Sequence, residues 1–339
     1  MRRTIGTLIF CLTFSTLFGQ NGLKQGDYFI LQKDKNTISI NSFTNQAITE
    51  KNSYTIDEGS FYATDKQSKV VVMTPNHNYV VIHDIHASHS EKIPVPYDIK
   101  AETIFMNNEN IFIGGELGKE MLVQYHLKSK KWYSLEIPRE IMRVGKAIDD
   151  IVVTDSTLIA IDNIVIPKYI LYYKLNSHGA LTFLESKLLP PNGTYEDIYE
   201  GRINSNYLVL SSRTTSGYTG VANHFTIYNN PNLESYFAIS IPVEHREEGK
   251  FNDFAIHNKT LIVAHSEKGL GYLEIKPAYF EARLKNSSDT EIPQIEYGKS
   301  EAGTVIDLTL VPNTETLIVT NKRGTEYEYY FKSMDSFLD

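Results

Sequence analysis

From Gly22 onwards, short apolar runs alternate with polar breaks at Asn, Asp, Gly, Lys or Pro. The clearest stretch is residues 251–275, FNDFAIHNKTLIVAHSEKGLGYLEI. It predicts strands over 252–256, 260–265 and 271–275, joined by two turns. The same pattern returns in residues 148–175, where Asp150, Leu158-Ile159-Ala160 and the run 169–173 hold matching places. It returns once more in residues 306–331, with Asp307, Leu317-Ile318-Val319 and the run 327–331. Runs such as Leu261-Ile262-Val263-Ala264 are continuous rather than alternating. A strand of that kind is covered on both faces.

The rest of the chain follows the same plan. Residues 27–42 (DYFILQKDKNTISINS) overlay residues 69–84 (KVVVMTPNHNYVVIHD) without a gap, and a weaker strand follows each at 47–51 and 91–95. Further units place strands at 103–106, 110–113, 121–127 and 132–137, then at 148–153, 157–162, 169–175 and 181–188. Another places them at 200–203, 207–211, 224–228 and 236–241. The unit at 251–275 takes a fourth strand from within 291–297. Helical periodicity is weak throughout; residues 140–144 allow a single turn at most. Four-stranded units recurring every ~40–50 residues are the pattern of propeller blades. The expected fold is therefore an all-β propeller of seven blades, each of four antiparallel strands. The first unit lacks its innermost strand and the last its outermost. Six blades result if the terminal units merge, and a β-sandwich is the other all-β arrangement open to such a pattern. The units resemble secreted or periplasmic β-propellers in architecture. They lack the Trp-Asp endings of WD repeats and the Tyr-Trp-Thr-Asp signature of receptor propellers, so no narrower family's residues transfer.

Composition sharpens this picture. With 22 Tyr and 16 Phe among 339 residues the chain leans towards strands, and its length allows a large core. Arg2 and Arg3 precede an apolar run over 5–18, with Gly19 and Gln20 after it. That layout is a secretory signal peptide over residues 1–20, ahead of one propeller domain over 21–339. The run is shorter than the ~20 apolar residues of a membrane span, so no span is expected once the signal is removed. The location implied is secreted or periplasmic. Cys11, the one cysteine, lies inside the apolar run. The mature chain then has no disulfide, thiol nucleophile or cysteine metal site. The chain carries 41 acidic against 33 basic residues, and loss of Arg2 and Arg3 widens the gap. An acidic surface argues against nucleic acid as a partner.

Two groups of residues carry candidate chemistry. Asp150, Glu200 and Asp253 each stand eight positions before the first Leu of the following strand (Leu158, Leu208, Leu261), and Asp307 stands ten before Leu317. Four consecutive units thus place a carboxylate near the start of the innermost strand, at one mouth of a propeller channel. Crowded carboxylates either shift their pKa values or recruit a cation, and hard oxygen ligands suit Ca²⁺. The arrangement is loosely similar to propeller lactonases that hold a channel calcium. The structural alternative is that each Asp shapes its turn by accepting backbone N–H bonds.

The second group lies on the loops between second and third strands, which gather at the same mouth. The longest is 212–223 (SRTTSGYTGVAN), with Arg213 and Tyr218 inside it and His224 after it. Its Ser, Thr, Gly and Tyr suit hydrogen bonding to a polar ligand. Asp162, Asn163 and Lys168 form the next candidate, with Pro167 fixing the turn. His83, His86 and His89 form an H-x2-H-x2-H run, but residues three apart on a strand point to opposite faces, so they read as surface polar residues. The chain contains no G-x-S-x-G, H-E-x-x-H, Walker or Rossmann signature. The expected function is a monomeric, non-catalytic module that binds a protein, peptide or glycan. The alternative is a calcium-dependent hydrolase or lactonase-like enzyme.

Overall fold

The computed structural model describes residues 28–34, 36–44, 47–74, 78–87, 89–116, 120–138, 148–153, 157–162, 169–176, 181–188, 196–204, 206–214, 221–229, 235–243, 251–265, 268–285, 293–298, 304–311, 314–323 and 326–334. The predicted signal segment, Cys11 and the possible turn at 140–144 lie outside these residues. The strands form seven successive antiparallel sheets, the blades of a seven-bladed β-propeller. The chain divides into two compact units, Phe10–Pro191 and Asn192–Asp339 with Met1–Ile9.

The first unit holds four blades. Blade 1 is β1 (Tyr28–Asp34), β2 (Thr37–Thr44) and β3 (Ala47–Thr55); blade 2 is β4 (Phe61–Thr64), β5 (Lys69–Met73), β6 (Tyr79–Asp84) and β7 (Ser90–Pro94). Blade 3 is β8 (Lys100–Met106), β9 (Asn110–Glu116), β10 (Leu122–His126) and β11 (Lys131–Ser134). Blade 4 is β12 (Ile148–Val153), β13 (Thr157–Asp162), β14 (Tyr169–Leu175) and β15 (Leu181–Leu188). Blades pack face to face through aliphatic layers. Ile104, Ile111 and Ile113 of blade 3 meet Val71 and Val80 of blade 2. Phe105 and Phe112, on the other face, meet Ile151, Leu158 and Leu171 of blade 4. This two-sided burial explains why inner strands read as unbroken apolar runs.

The second unit holds three blades. Blade 5 is β16 (Glu196–Ile203), β17 (Tyr207–Thr214), β18 (Val221–Asn229) and β19 (Tyr236–Val243). Blade 6 is β20 (Phe251–His257), β21 (Thr260–His265), β22 (Gly269–Glu274) and β23 (Glu296–Tyr297). Blade 7 is β24 (Thr304–Leu310), β25 (Thr316–Arg323) and β26 (Glu326–Ser333), so the first and last blades each have three described strands. Phe225 of blade 5 meets Phe254 of blade 6, and Ala255 and Ile262 of blade 6 meet Leu308 and Val319 of blade 7.

Two features depart from the sequence expectation. A helix, α1 (Pro277–Lys285), follows β22. Pro277 at its first position is pre-set for helical φ. Tyr279 and Phe280 are buried, and both rings pack on Phe237 while Phe280 also stacks on Tyr207. Tertiary burial of two aromatics thus holds a short helix whose own periodicity is weak. The second departure is in blade 5, where β17 and β18 pair from Tyr207↔Asn229 to Thr214↔Ala222. Much of the expected loop 212–223 is therefore strand.

The hairpins between first and second strands of blades 2, 3 and 5 share one device. Asp65 Oδ1 accepts from the backbone N–H groups of Gln67, Ser68 and Lys69. Asn107 Oδ1 accepts from Glu109 and Asn110, and Asn204 Oδ1 from Asn206 and Tyr207. A short polar side chain thus substitutes for a backbone turn.

Candidate functional site

The innermost strands of blades 3 to 7 each carry a β-bulge near their start. Opposite β9, the register passes from Ala101↔Gly115 to Thr103↔Gly114. Opposite β13 it passes from Ile148↔Asp162 to Asp150↔Ile161, and opposite β17 from Ile198↔Ser212 to Glu200↔Ser211. Opposite β21 it passes from Phe251↔His265 to Asp253↔Ala264, and opposite β25 from Val305↔Asn321 to Asp307↔Thr320. The residue that follows the bulge is Thr103, Asp150, Glu200, Asp253 or Asp307. The four predicted carboxylates therefore hold equivalent backbone positions. A bulge leaves backbone groups unpaired, and these need partners from elsewhere.

In the second unit Asp253 supplies such partners. Its Oδ1 accepts from its own neighbour, Phe254 N, at 2.7 Å and from Arg202 Nη2 of blade 5 at 2.9 Å. Its Oδ2 accepts from Leu308 N of blade 7 at 2.7 Å. Asn252, the bulged residue, donates its Nδ2–H to Val305 O at 2.7 Å. Asn252 and Asp253 thus grip blade 7 on both sides of its own bulge. Arg202 and Asp253 side chains are 5% and 7% exposed, so the ion pair is buried. A charge-assisted bond there is strong, but each member depends on the other to offset its desolvation. The Arg202 guanidinium also lies over the Phe254 ring at 5.5 Å. Arg202 was not singled out from the sequence. The signal was a charged residue inside a predicted inner strand, at 200–203.

In the first unit Asp150 is buried and its Oδ1 accepts from Ile151 N at 2.8 Å, the same local bond that Asp253 makes. Thr103 is buried at the corresponding place in blade 3. Among the described residues no group of three or more His, Cys, Asp or Glu side chains is arranged to hold a metal ion.

Of the predicted ligand residues, Asp162 ends β13, with backbone partners Ile148 and Tyr169. Arg213 stands in β17, paired with Asp197 and Asn223. His224 lies within β18 and is buried, and that burial lowers its pKa below the ordinary imidazole value. Asn163, Lys168 and Tyr218 lie outside the described residues. Of the three-histidine run, His86 and His89 are exposed. His83 is half-buried and its ring stacks on Tyr54 at 4.3 Å, which the surface reading did not anticipate. Among the described residues no helix is long and apolar enough to cross a membrane.

No family model matches the chain, and no curated protein matches it. Solved structures do match. The β-propeller domain of Cps50 (Swd1) from Myceliophteria thermophila is 11% identical, with 97% of this chain and 98% of that chain covered and a TM-score of 0.60. The computationally designed protein Ika8 is 11% identical, with 92% of this chain and 82% of that chain covered and a TM-score of 0.53. Likeness at this identity is a likeness of fold, and the fold is the seven-bladed β-propeller that the strand pairing defines.

Proposed function

We propose that the chain is a non-catalytic binding propeller that holds a protein, peptide or glycan at the strand ends where loops between second and third strands gather. The observation that carries this reading is the reach of blade 5. Beyond Ser211, the partner of Glu200, β17 continues through Ser212, Arg213 and Thr214, each still paired on both sides. β19 continues alongside, as far as Val221↔Val243. In blade 6 the second strand continues for one residue past the equivalent level, His265. In blade 7 it continues for three, Asn321, Lys322 and Arg323, of which Arg323 is paired on one side. At ~3.3 Å per residue, two further residues carry β17 about 7 Å beyond the level of β21. Arg213 stands on that extension, and the segment with Tyr218 joins the two central strands of blade 5. Paired strands that carry Ser212, Arg213 and Thr214 in their sequence suit recognition of a polar partner. Asp162 stands at the equivalent strand end of blade 4, and Asn163 and Lys168, which follow it in the sequence, are further proposed ligand residues. In this reading residues 1–20 act as a leader and the binding takes place outside the cytoplasm, in a secreted or periplasmic monomer.

The test is selection of ligands from a peptide library and a glycan array with the chain lacking its first 20 residues. Binding of a selected ligand falls by ~tenfold or more when Arg213→Ala and Tyr218→Ala are combined, the loss of a little over 1 kcal/mol expected for anchor residues. A ligand that binds the double variant unchanged removes this face from consideration.

A second reading rests on the shared register of Asp150, Glu200, Asp253 and Asp307. In it these carboxylates hold a channel calcium that acts as an electrophile in a hydrolase or lactonase-like enzyme. The bonds of Asp253 weigh against it, because each of its oxygens already has an N–H partner.

A further inference from the structure

The seam between blades 1 and 2 carries chemistry that neither reading uses. The Tyr54 ring lies on the His83 imidazole with centroids 4.3 Å apart and planes 26° apart. Tyr54 donates its hydroxyl to Asp84 O at 3.3 Å, and Asn52 Nδ2 donates to Ile85 O at 2.7 Å. These contacts tie β3, the outer strand of blade 1, to the end of β6 and the turn after it. His83 Nδ1 is 2.7 Å from Ser90 Oγ. Nearby, His86 sits edge-on to Tyr28 at 5.5 Å, with Nε2 3.3 Å from Gln67 O.

The charges around His83 are one-sided. Strand pairing puts Val70, Val81 and His83 on the face of blade 2 that packs against Ile38 and Ile40 of blade 1. Lys92 pairs with Val81 and shares that face, its Nζ 3.5 Å from the Tyr79 ring centroid. The phenols of Tyr28, Tyr54, Tyr62 and Tyr79 also face the seam, and the His86 imidazole lies against Tyr28. The nearby carboxylates point elsewhere. Asp84 and Glu91 alternate to the opposite face of blade 2, and Asp84 Oδ1 is bonded to His86 N and Ala87 N. Glu50 pairs with Lys33 on the far side of blade 1, and Asp65 closes its own turn. Among the described residues, then, a proton on His83 meets the Ser90 hydroxyl, a lysine, aromatic rings and aliphatic side chains, and no acid. Burial itself already holds its pKa below the ordinary value.

We propose that this seam is an acid-sensitive clasp: His83, wedged against Tyr54 with no carboxylate among the described residues facing it, lets go of the outer strand of blade 1 when it takes a proton. The release is local. Ile38, Ile40, Val70 and Val72 are buried together and keep the inner strands of the two blades joined. A propeller with this clasp changes the exposure of one outer strand between neutral and mildly acidic surroundings while the remaining blades stay folded.

The experiment is amide hydrogen exchange of residues 52–55 at pH 7.5 and pH 5.5, corrected for intrinsic exchange, with the His83 ring titrated by NMR in the same protein. If the clasped form stays neutral, the opening equilibrium one unit below the ordinary pKa of 6.5 rises by a factor approaching ~10. His83→Gln, which cannot charge, keeps the slow exchange at both pH values, and the strands of blade 3 show no such pH response in either protein. Equal pH response in His83→Gln, or no response in the native chain, overturns the proposal. So does a His83 pKa at or above 6.5, a result that stands even if the variant does not fold.

Discussion

Replacing Asp253 by Ala removes three bonds at once: the ion pair to Arg202 and the acceptors for Phe254 N and Leu308 N. The Arg202 guanidinium, 5% exposed, is then left without this counter-charge. Breaking a buried pair from one side costs about 3–5 kcal/mol. Each orphaned buried N–H adds about 1–3 kcal/mol before relaxation, and such terms are not additive. A loss of about 4 kcal/mol or more is expected, a large part of the ~5–15 kcal/mol that holds a typical domain together. Asp253→Asn keeps one acceptor oxygen and costs less. Arg202→Met removes the charge while filling the space, and leaves Asp253 with its two N–H donors. The double variant Arg202→Met/Asp253→Asn carries no buried charge at this point, so it is more stable than the two single losses summed. Denaturant unfolding followed by near-UV circular dichroism measures the native chain and the four variants. A coupling energy of ~1–3 kcal/mol is predicted from the cycle. An Asp253→Ala loss within about 0.5 kcal/mol, the range of ordinary surface substitutions, refutes the role assigned to this carboxylate.

Two further outcomes follow from the same structure. His224 is buried and its pKa is lowered, so the unfolded chain takes a proton that the native chain refuses. Its stabilising preference for the neutral form is full above pH 6.5 and is lost as pH falls through its folded value. Native stability therefore drops by at most about 1.4 kcal/mol between pH 7.5 and 5.5 from this group, and the drop is smaller by that amount in His224→Gln; equal drops contradict it. Gly115→Ala places a Cβ 2.0 Å from Lys100 O, a backbone atom beside the blade 3 bulge that cannot rotate away. A loss of about 3 kcal/mol in denaturant unfolding is expected, the upper part of the overpacking range, and an unchanged midpoint contradicts the close approach.

The blades were legible because their inner strands are buried on both faces. Leu261 to Ala264 and Leu158 to Ile161 stand out as apolar runs of a length that helices do not use. The acidic position was legible too, as an offset from the second strand, because the bulge fixes that spacing in three blades. What the acid does was not. The Asp253 bonds reach Arg202 and Leu308, fifty-one and fifty-five residues away in sequence, and no local pattern announces them. α1 was missed because Tyr279 and Phe280 are adjacent, not spaced by three or four, so its stability comes from Phe237 and Tyr207 rather than from an amphipathic stripe. The Ser- and Thr-rich run in blade 5 read as a loop by composition, yet its residues through Thr214 and from Val221 satisfy their backbone groups in the ladder.

The central claim is that Asp253, at the repeated carboxylate position, ties blades 5, 6 and 7 together through N–H donors that engage both of its oxygens. Metal analysis combined with thermal unfolding, with and without added calcium, tests it on the chain lacking its first 20 residues. The account predicts no stoichiometric calcium and a melting temperature that added calcium leaves unchanged. Bound calcium, with a calcium-dependent rise in melting temperature that Asp150→Ala or Asp253→Ala abolishes, contradicts it.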